Sequence, residues 1–276
     1  MILNIVFYYF IIFALTQGIS LGLVSSYMVV KRWSMLGDIM SHAALPGIVV
    51  AFFLTHSTSL LVLIGGGLLS ALLSALCSFL LQKKGNFPRE SNFALILSWF
   101  FSFGIIMMNV IQKQSIPGQS ILNSFIFGNI LMINHTEVIY YVIYTILFSF
   151  FMIFFSKIKE FFAFDTVFSF IRYQYVFLWE IIFLVLSTLT IIIALQSVGI
   201  LLIGGLTILP GSCAKLISHS YKEMMLWSVV FSVISFLCGI IIAFQVPFLP
   251  TGPIIILISV LMFLMLFSYK LFGRSQ

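Results

Sequence analysis

Charge is scarce in this chain: among its 276 residues only 13 are basic and 7 are acidic. Soluble globular domains carry about a quarter of their residues as charged side chains. Here hydrophobic residues make up 62% of the chain, and the mean hydropathy is +1.23. Apolar runs long enough to cross a bilayer recur from end to end. The composition therefore excludes a soluble domain and predicts a single transmembrane domain over residues 1–276.

Other absences narrow the class of function. The phosphate-binding pattern GxxxxGK[ST] is missing, so any ATP hydrolysis is expected on another polypeptide. No group of nucleophile, base and metal ligands marks an enzyme. Basic residues lie in short clusters between apolar runs, which is typical of topology determinants and argues against a nucleic-acid partner. The three cysteines, Cys77, Cys213 and Cys238, form no CxxC pair and are expected as packing residues within helices.

The apolar segments predict an all-α, polytopic helical bundle of about eight or nine spans. The predicted spans lie near residues 4–30, 35–55, 60–81, 92–112, 137–156, 176–196, 198–218, 224–244 and 254–271. A further apolar piece at 119–134 is too short, because about fifteen residues of helix rise only ~22 Å against a hydrocarbon core of ~30 Å. We expect it to be re-entrant or interfacial.

The basic residues predict the orientation. If 119–134 does not cross, every basic residue except Lys113 falls on the same side of the membrane, which the positive-inside rule identifies as the cytoplasm. The N-terminus is then outside and the C-terminus cytoplasmic. Glu180, beside Trp179 at the start of a span, is expected as an interfacial anchor. The longest cytoplasmic loop, 157–175, mixes charged residues with phenylalanines, and it either lies on the membrane surface or docks a soluble partner.

The segment that carries chemistry is the start of the second span. Asp38 and His42 are four residues apart, so a helix places them on one face. Counted from Arg32 at the inner boundary, they lie ~9 Å and ~15 Å along the helix, and His42 is near the midplane. Ionisable groups at this depth mark ion or substrate paths, and a carboxylate with an imidazole suits a divalent transition metal. The alternative, a capping Asp38 with His42 bonded to a neighbouring helix, leaves the midplane imidazole unexplained.

Two Pro-Gly pairs lie in spans of opposite direction. Pro46-Gly47 follows the Asp38–His42 segment and is expected to kink or break its helix, and Pro210-Gly211 is the second pair. Interrupted spans of opposite direction hint at an inverted repeat around a central path. The remaining histidines, His56, His135 and His219, fall at predicted loops and are expected to be solvated.

Four segments, in order over nearly the whole chain, resemble the membrane permeases of ABC importers for zinc, manganese and iron. The run Gly37-Asp38-x-x-Ser41-His42-Ala43-x-Leu45-Pro46-Gly47 is similar to that family's hallmark segment. Residues 124–131 are similar to its S-x-x-F-G-x-x-L segment. Residues 198–215 resemble its V-G-x-L-L…P…A-[RK] segment, and Thr251-Gly252-Pro253 resembles the segment before its last span.

The resemblance implies a type II ABC-importer-like permease in the bacterial inner membrane. Its expected partners are cytoplasmic ATP-binding subunits, a second permease chain (a copy or a paralogue) and an extracytoplasmic metal-binding protein. It assigns Asp38 and His42 to the metal's path, with the transported ion and no resident cofactor. It assigns the segment at Phe164-Asp165 to ATPase coupling, although residues 166–171 depart from the family's pattern there. The alternative is a gradient-driven secondary transporter, and ligand chemistry alone does not choose among manganese, zinc and iron.

Overall fold

A computed structural model describes residues 2–84, 88–114, 116–128, 135–156, 176–246 and 250–273. Within these ranges the chain forms helices and no strand, which confirms the predicted all-α class. The helices are α1 (Ile2–Val30), α2 (Ser34–Thr55), α3 (Leu60–Lys84), α4 (Arg89–Lys113), α5 (Ser120–Phe127), α6 (His135–Phe154), α7 (Val176–Val198), α8 (Ile200–Leu206), α9 (Leu209–Ile217), α10 (Tyr221–Gln245) and α11 (Thr251–Gly273).

Nine stretches of the described chain are long and apolar enough to cross a membrane. They match the nine predicted spans in order, and the seventh, Ile200–Ile217, consists of α8 and α9 together. The short helix α5 has only 8 residues and rises ~12 Å, so it does not cross. Its Leu122 and Phe125 side chains are fully buried. Residues 129–134 lie outside the described ranges, so the re-entrant or interfacial path of 119–134 stays a prediction. The side of the membrane on which each terminus lies stays a prediction.

Burial separates central helices from peripheral ones. In α1 and in α2, 72% of an 18-residue apolar stretch is buried inside the protein, whereas in α11 the share is 11%. The large apolar side chains that α11 exposes, such as Leu264 and Met265, match a hydrocarbon surrounding. The helix that carries Asp38 and His42 is therefore a central one.

The turn between α1 and α2 fixes where the second helix begins. Arg32 adopts the left-handed conformation with φ 56°. The Trp33 N–H donates to the carbonyl of Met28 at 2.8 Å, and the Arg32 N–H donates to that of Val29. This hydrogen-bond pair is a Schellman motif, and the Trp33 ring completes it by packing edge-on against Tyr27 with centroids 6.1 Å apart. The start of α2 is thus held to the end of α1.

Of the kink or break expected at Pro46-Gly47, the break is absent, because α2 is continuous through Pro46. Proline has no N–H, so the carbonyl of His42 loses its helical donor. Helices α3 and α4 pack closely against the Pro-Gly pair. Gly47 lies so close to α3 that an added Cβ would overlap the carbonyl oxygen of Gly66. On another side Gly104 of α4 packs against Pro46. Packing overrides the local preference of the Pro-Gly pair.

The second interrupted span is present. Helix α8 ends at Leu206 and α9 begins at Leu209, with Pro210 in its first turn. The Gly211 N–H donates to the Ser25 hydroxyl of α1 at 2.8 Å, so a neighbouring helix satisfies a group that the break leaves free. The structure therefore keeps one interruption of the two expected, and it lies just before the Pro-Gly pair.

The contact between α2 and α3 gives a first prediction. We expect Gly66→Ala to destabilise the protein, by about 1–3 kcal/mol of overpacking, because its Cβ would meet the Gly47 backbone and the Ala51 side chain. Gly65→Ala is the matched control, since nothing lies within 4 Å of a Cβ there. Both substitutions gain the same helix propensity. Thermal unfolding in detergent should show a lower Tm for Gly66→Ala alone; equal Tm values for the two variants would contradict the packing argument.

Candidate metal site

Asp38 and His42 meet on one face of α2. The His42 Nε2 lies 3.5 Å from the Asp38 Oδ1. The His42 side chain is 11% exposed and the Asp38 side chain 44% exposed. The imidazole is therefore enclosed in the bundle while the carboxylate remains accessible from one side. This juxtaposition follows from the four-residue spacing alone.

The His42 ring is held by packing rather than by hydrogen bonds. It forms a T-shaped contact with the ring of Phe101 of α4, with ring centroids 4.7 Å apart and ring planes at 89°. The buried Nδ1 has no hydrogen-bond partner among the described residues. Gln17 Oε1 and Asn92 Oδ1 are buried without a partner in the same way, so the free Nδ1 alone does not identify a site. It does leave a nitrogen lone pair or N–H of the imidazole unused by the protein.

A half-helix lies directly against the carboxylate. A Cβ on Gly204 of α8 would overlap the Asp38 Oδ1, so only glycine leaves this oxygen its position. One turn further on, a Cβ on Gly37 would lie 2.5 Å from the hydroxyl oxygen of Thr207. In the sequence, Gly204 is one of two adjacent glycines, a pattern that in membrane helices indicates close helix packing. The structure places Gly204 against Asp38. The Gly-Gly pair in the sequence does not show which of its two glycines has such a contact.

The opposite face of α2 is fixed to α7. Ile39, Met40 and Ala43 are buried, and the Thr188 hydroxyl of α7, which donates to the Leu184 carbonyl at 2.7 Å, lies 3.2 Å from the Met40 sulfur. The face that carries Asp38 and His42 therefore cannot turn without breaking these contacts. No group of three or more metal-ligating side chains occurs in the part of the chain that the structure describes. The pair supplies two ligands, fewer than the four of a closed structural zinc site.

A buried polar network between α6 and α7 was not predicted. The Tyr141 hydroxyl donates to Gln196 Oε1 at 2.7 Å, and Gln196 Nε2 donates to Glu137 Oε2 at 3.3 Å. The Glu137 side chain is buried. Because Gln196 links the carboxylate to a neighbouring tyrosine, the network joins two helices through satisfied groups. It lies apart from the Asp38–His42 pair in the described contacts.

The other residues singled out in the sequence are the remaining histidines, the three cysteines and the segment 157–175. His56 and His219 are exposed, as predicted for solvated histidines. Cys213 is buried and Cys77 and Cys238 are partly buried, all as free thiols. The His135 side chain and the loop 157–175, with Asp165, lie outside the described residues.

Glu180, which the sequence predicts as an interfacial anchor, lies close to a basic residue from another part of the chain. Its Oε1 lies 3.9 Å from the Nζ of Lys31, at the α1–α2 turn. Its neighbour Trp179 packs against Phe155 with ring centroids 4.1 Å apart. The charge of Glu180 is therefore directed into the bundle.

Comparison with known proteins identifies the chain's relatives. The model of the ABC 3 transport family matches residues 6–270. The zinc transport system membrane protein TroC of Treponema pallidum is 29% identical over 74% of this chain and 69% of its own length. The chelated iron transport system membrane protein YfeD of Yersinia pestis is 30% identical over 78% of this chain and 69% of its own length.

A solved structure has the same fold. PsaBC from Streptococcus pneumoniae, in complex with Fab, superposes with a TM-score of 0.82 at 26% identity, over 94% of this chain and 89% of that chain. The family match covers almost the entire sequence, including Asp38, His42 and the interrupted span. The chain therefore belongs to the ABC 3 transport family and is a membrane-spanning permease of the metal ABC transporter type.

Proposed function

We propose that this permease carries divalent zinc, manganese or iron ions into the cell through a path at Asp38 and His42, driven by ATP hydrolysis on separate subunits. The observation that carries the proposal is the carboxylate–imidazole pair at 3.5 Å on a central helix. Ionisable groups within a span are costly and mark transport paths. The named cargoes of the relatives, zinc and chelated iron, agree with this ligand chemistry.

The site is suited to transit rather than storage. A transported ion must be bound strongly enough to lose its water, yet weakly enough to leave. One Asp38–His42 pair provides two ligands, and the exposed side of Asp38 leaves room for others. In a two-permease assembly a second chain, identical or paralogous, adds its own pair across the interface. The path is then closed by four ligands only while both chains contribute.

The partners of the proposed transporter follow from the family and the sequence. Cytoplasmic ATP-binding subunits supply hydrolysis, since the chain lacks the phosphate-binding pattern. They contact the loop that includes Asp165, on the side where the basic residues collect. An extracytoplasmic metal-binding protein delivers the ion, and the N-terminus faces that side.

A gradient-driven secondary transporter is the competing function. The interrupted helix pair α8–α9 beside Asp38 favours it, because broken spans next to ionisable residues recur in such transporters. Reconstitution separates the two. We expect uptake of zinc, manganese or iron by proteoliposomes only when the ATP-binding subunit, the metal-binding protein and ATP are all present. Uptake by the permease alone, driven by an ion gradient, would overturn ATP-driven import.

The roles of the two ligands can be tested by near-isosteric changes. Asp38→Asn and His42→Gln should each lower ATP-driven uptake at least about 10-fold, the lower limit seen when metal sites lose a supporting hydrogen bond. His56→Gln is the matched control, because His56 is an exposed histidine at the end of the same helix. Uptake of the radiolabelled ion, normalised to folded transporter, is the measurement. Unchanged uptake in both ligand variants would contradict the site while leaving the family intact.

Gly204 offers a test of the carboxylate's position. Gly204→Ala should weaken metal binding about tenfold, or ~1.4 kcal/mol, because the new Cβ displaces the Asp38 Oδ1. The neighbouring change Gly205→Ala is the control, since its Cβ would make an ordinary contact with Ile256 at 3.5 Å. Metal titration of the purified transporter gives both dissociation constants. If the two variants bind the ion equally well, Asp38 does not bind it in the position seen here.

A further inference from the structure

A second ionic contact lies outside the metal site, at one end of two central helices. Lys31 follows the last residue of α1, and Glu180 lies in the second turn of α7. Their Nζ and Oε1 are 3.9 Å apart, and the side chains are 6% and 23% exposed. Most of both charged groups is therefore removed from solvent. The distribution of basic residues predicts that this end is cytoplasmic.

Aromatic rings from the same two elements surround the ion pair. The ring of Tyr27 lies against that of Phe183 of α7 with centroids 4.0 Å apart. The Lys31 ammonium is 5.5 Å from the centre of the Trp33 ring, which itself packs on Tyr27. The α1–α2 turn and α7 thus share one cluster of a charge pair and three rings.

The pair needs an explanation other than stability. Dehydrating two charges costs about as much as their attraction returns, so a buried ion pair is weak evidence for a stabilising role. Its geometry is more informative. A charge pair attracts over a range of directions and distances, whereas the surrounding apolar contacts allow small sliding movements. Such a contact keeps two helices together while one of them moves.

The turn transmits displacement to the metal ligands. Residues 31–33 belong to the Schellman motif that begins α2, and Asp38 follows Ser34 by four residues, ~6 Å of continuous helix. No flexible link separates Lys31 from Asp38. A few turns beyond Glu180, Thr188 of α7 contacts Met40. Helix α7 therefore contacts the metal-bearing segment at two levels, before Asp38 and beside it.

The other side of the contact leads toward the ATP-binding subunit. Glu180 is the fifth residue of α7, and residues 157–175, which the sequence predicts to form a cytoplasmic loop, directly precede this helix. Under the proposed function that loop contacts the ATP-binding subunit. A displacement applied to the start of α7 reaches Glu180 within about one and a half turns of helix.

We propose that the Lys31–Glu180 pair is a positioning contact through which α7 moves the start of α2, and so couples the nucleotide state to the affinity of the Asp38–His42 site. The inference rests on the proposed ATP-driven function. Lys31 and Glu180 touch no metal themselves. Their effect is on the difference between two states of the transporter rather than on either state alone.

The experiment measures that difference directly. The transporter, assembled with its ATP-binding subunit in lipid nanodiscs, is titrated with zinc and then with manganese, each with and without a non-hydrolysable ATP analogue. The ratio of the two Kd values is the coupling factor, which for allosteric proteins is about 5–150. We expect Glu180→Gln and Lys31→Met to bring this ratio close to 1, while the Kd without nucleotide changes less than about twofold. In proteoliposomes, uptake per ATP hydrolysed should fall about fivefold or more.

Controls separate positioning from folding and from the proposed function. Glu90→Gln is matched, because Glu90 is in the first turn of α4 but exposed, and it should keep the wild-type ratio. The exchange Lys31→Glu with Glu180→Lys should restore a substantial part of the ratio, and it remains informative if a single variant folds poorly. A wild-type ratio in Glu180→Gln, or an exchange variant that folds but stays at a ratio of 1, would overturn the inference. A ratio of 1 in the unmodified transporter would contradict ATP-driven coupling itself, and the inference with it.

Discussion

Hydrocarbon offers no hydrogen bonds, so the polar groups of this bundle must find partners inside the protein. In the described ranges, many hydroxyl groups donate to a carbonyl of their own helix, as Ser26 does to that of Leu23 and Ser74 to that of Ala71. Others join two helices, as Ser228 of α10 does by donating to the carbonyl of Gly22. The buried Nδ1 of His42 has no such partner among the described residues, and the same holds for a few other buried atoms, such as Gln17 Oε1 and Asn92 Oδ1. His42 differs from these in facing the Asp38 carboxylate.

The same constraint explains why glycine shapes the site. Without a hydrophobic force between spans, helices associate through close packing, and backbones approach closest where side chains are absent. Gly47 and Gly66 bring α2 against α3, and Gly204 brings the half-helix α8 against Asp38. The position of the carboxylate in α2 thus depends on the absence of a side chain at Gly204 in α8, six helices further along the sequence. A larger residue at position 204 would displace the Asp38 carboxylate without changing its chemistry.

These relations mark the limit of what the sequence predicts. The nine spans could be predicted because hydropathy and helix length are local properties, and the Asp38–His42 pair because its spacing lies within one helix. The absence of a break at Pro46 could not be predicted, because it depends on the contacts that α3 and α4 make there. The Glu137–Gln196 and Lys31–Glu180 contacts could not be predicted, since each joins residues whose nearness depends on the packing of separate spans. An isolated charged residue in an apolar segment indicates a functional or structural role, but the sequence does not identify the residue that it contacts.

An incomplete ligand set is what transport demands. A structural zinc site closes four ligands around the ion and contributes its binding energy to folding, which makes release costly. On this chain His42 is enclosed and Asp38 is half open, so one ligand is oriented by packing while the other stays accessible. The ion can then exchange water for protein ligands stepwise, and it leaves when a small movement separates the contributors. Because α2 is continuous from its first turn through both ligands, a movement applied at that first turn changes the position of both together.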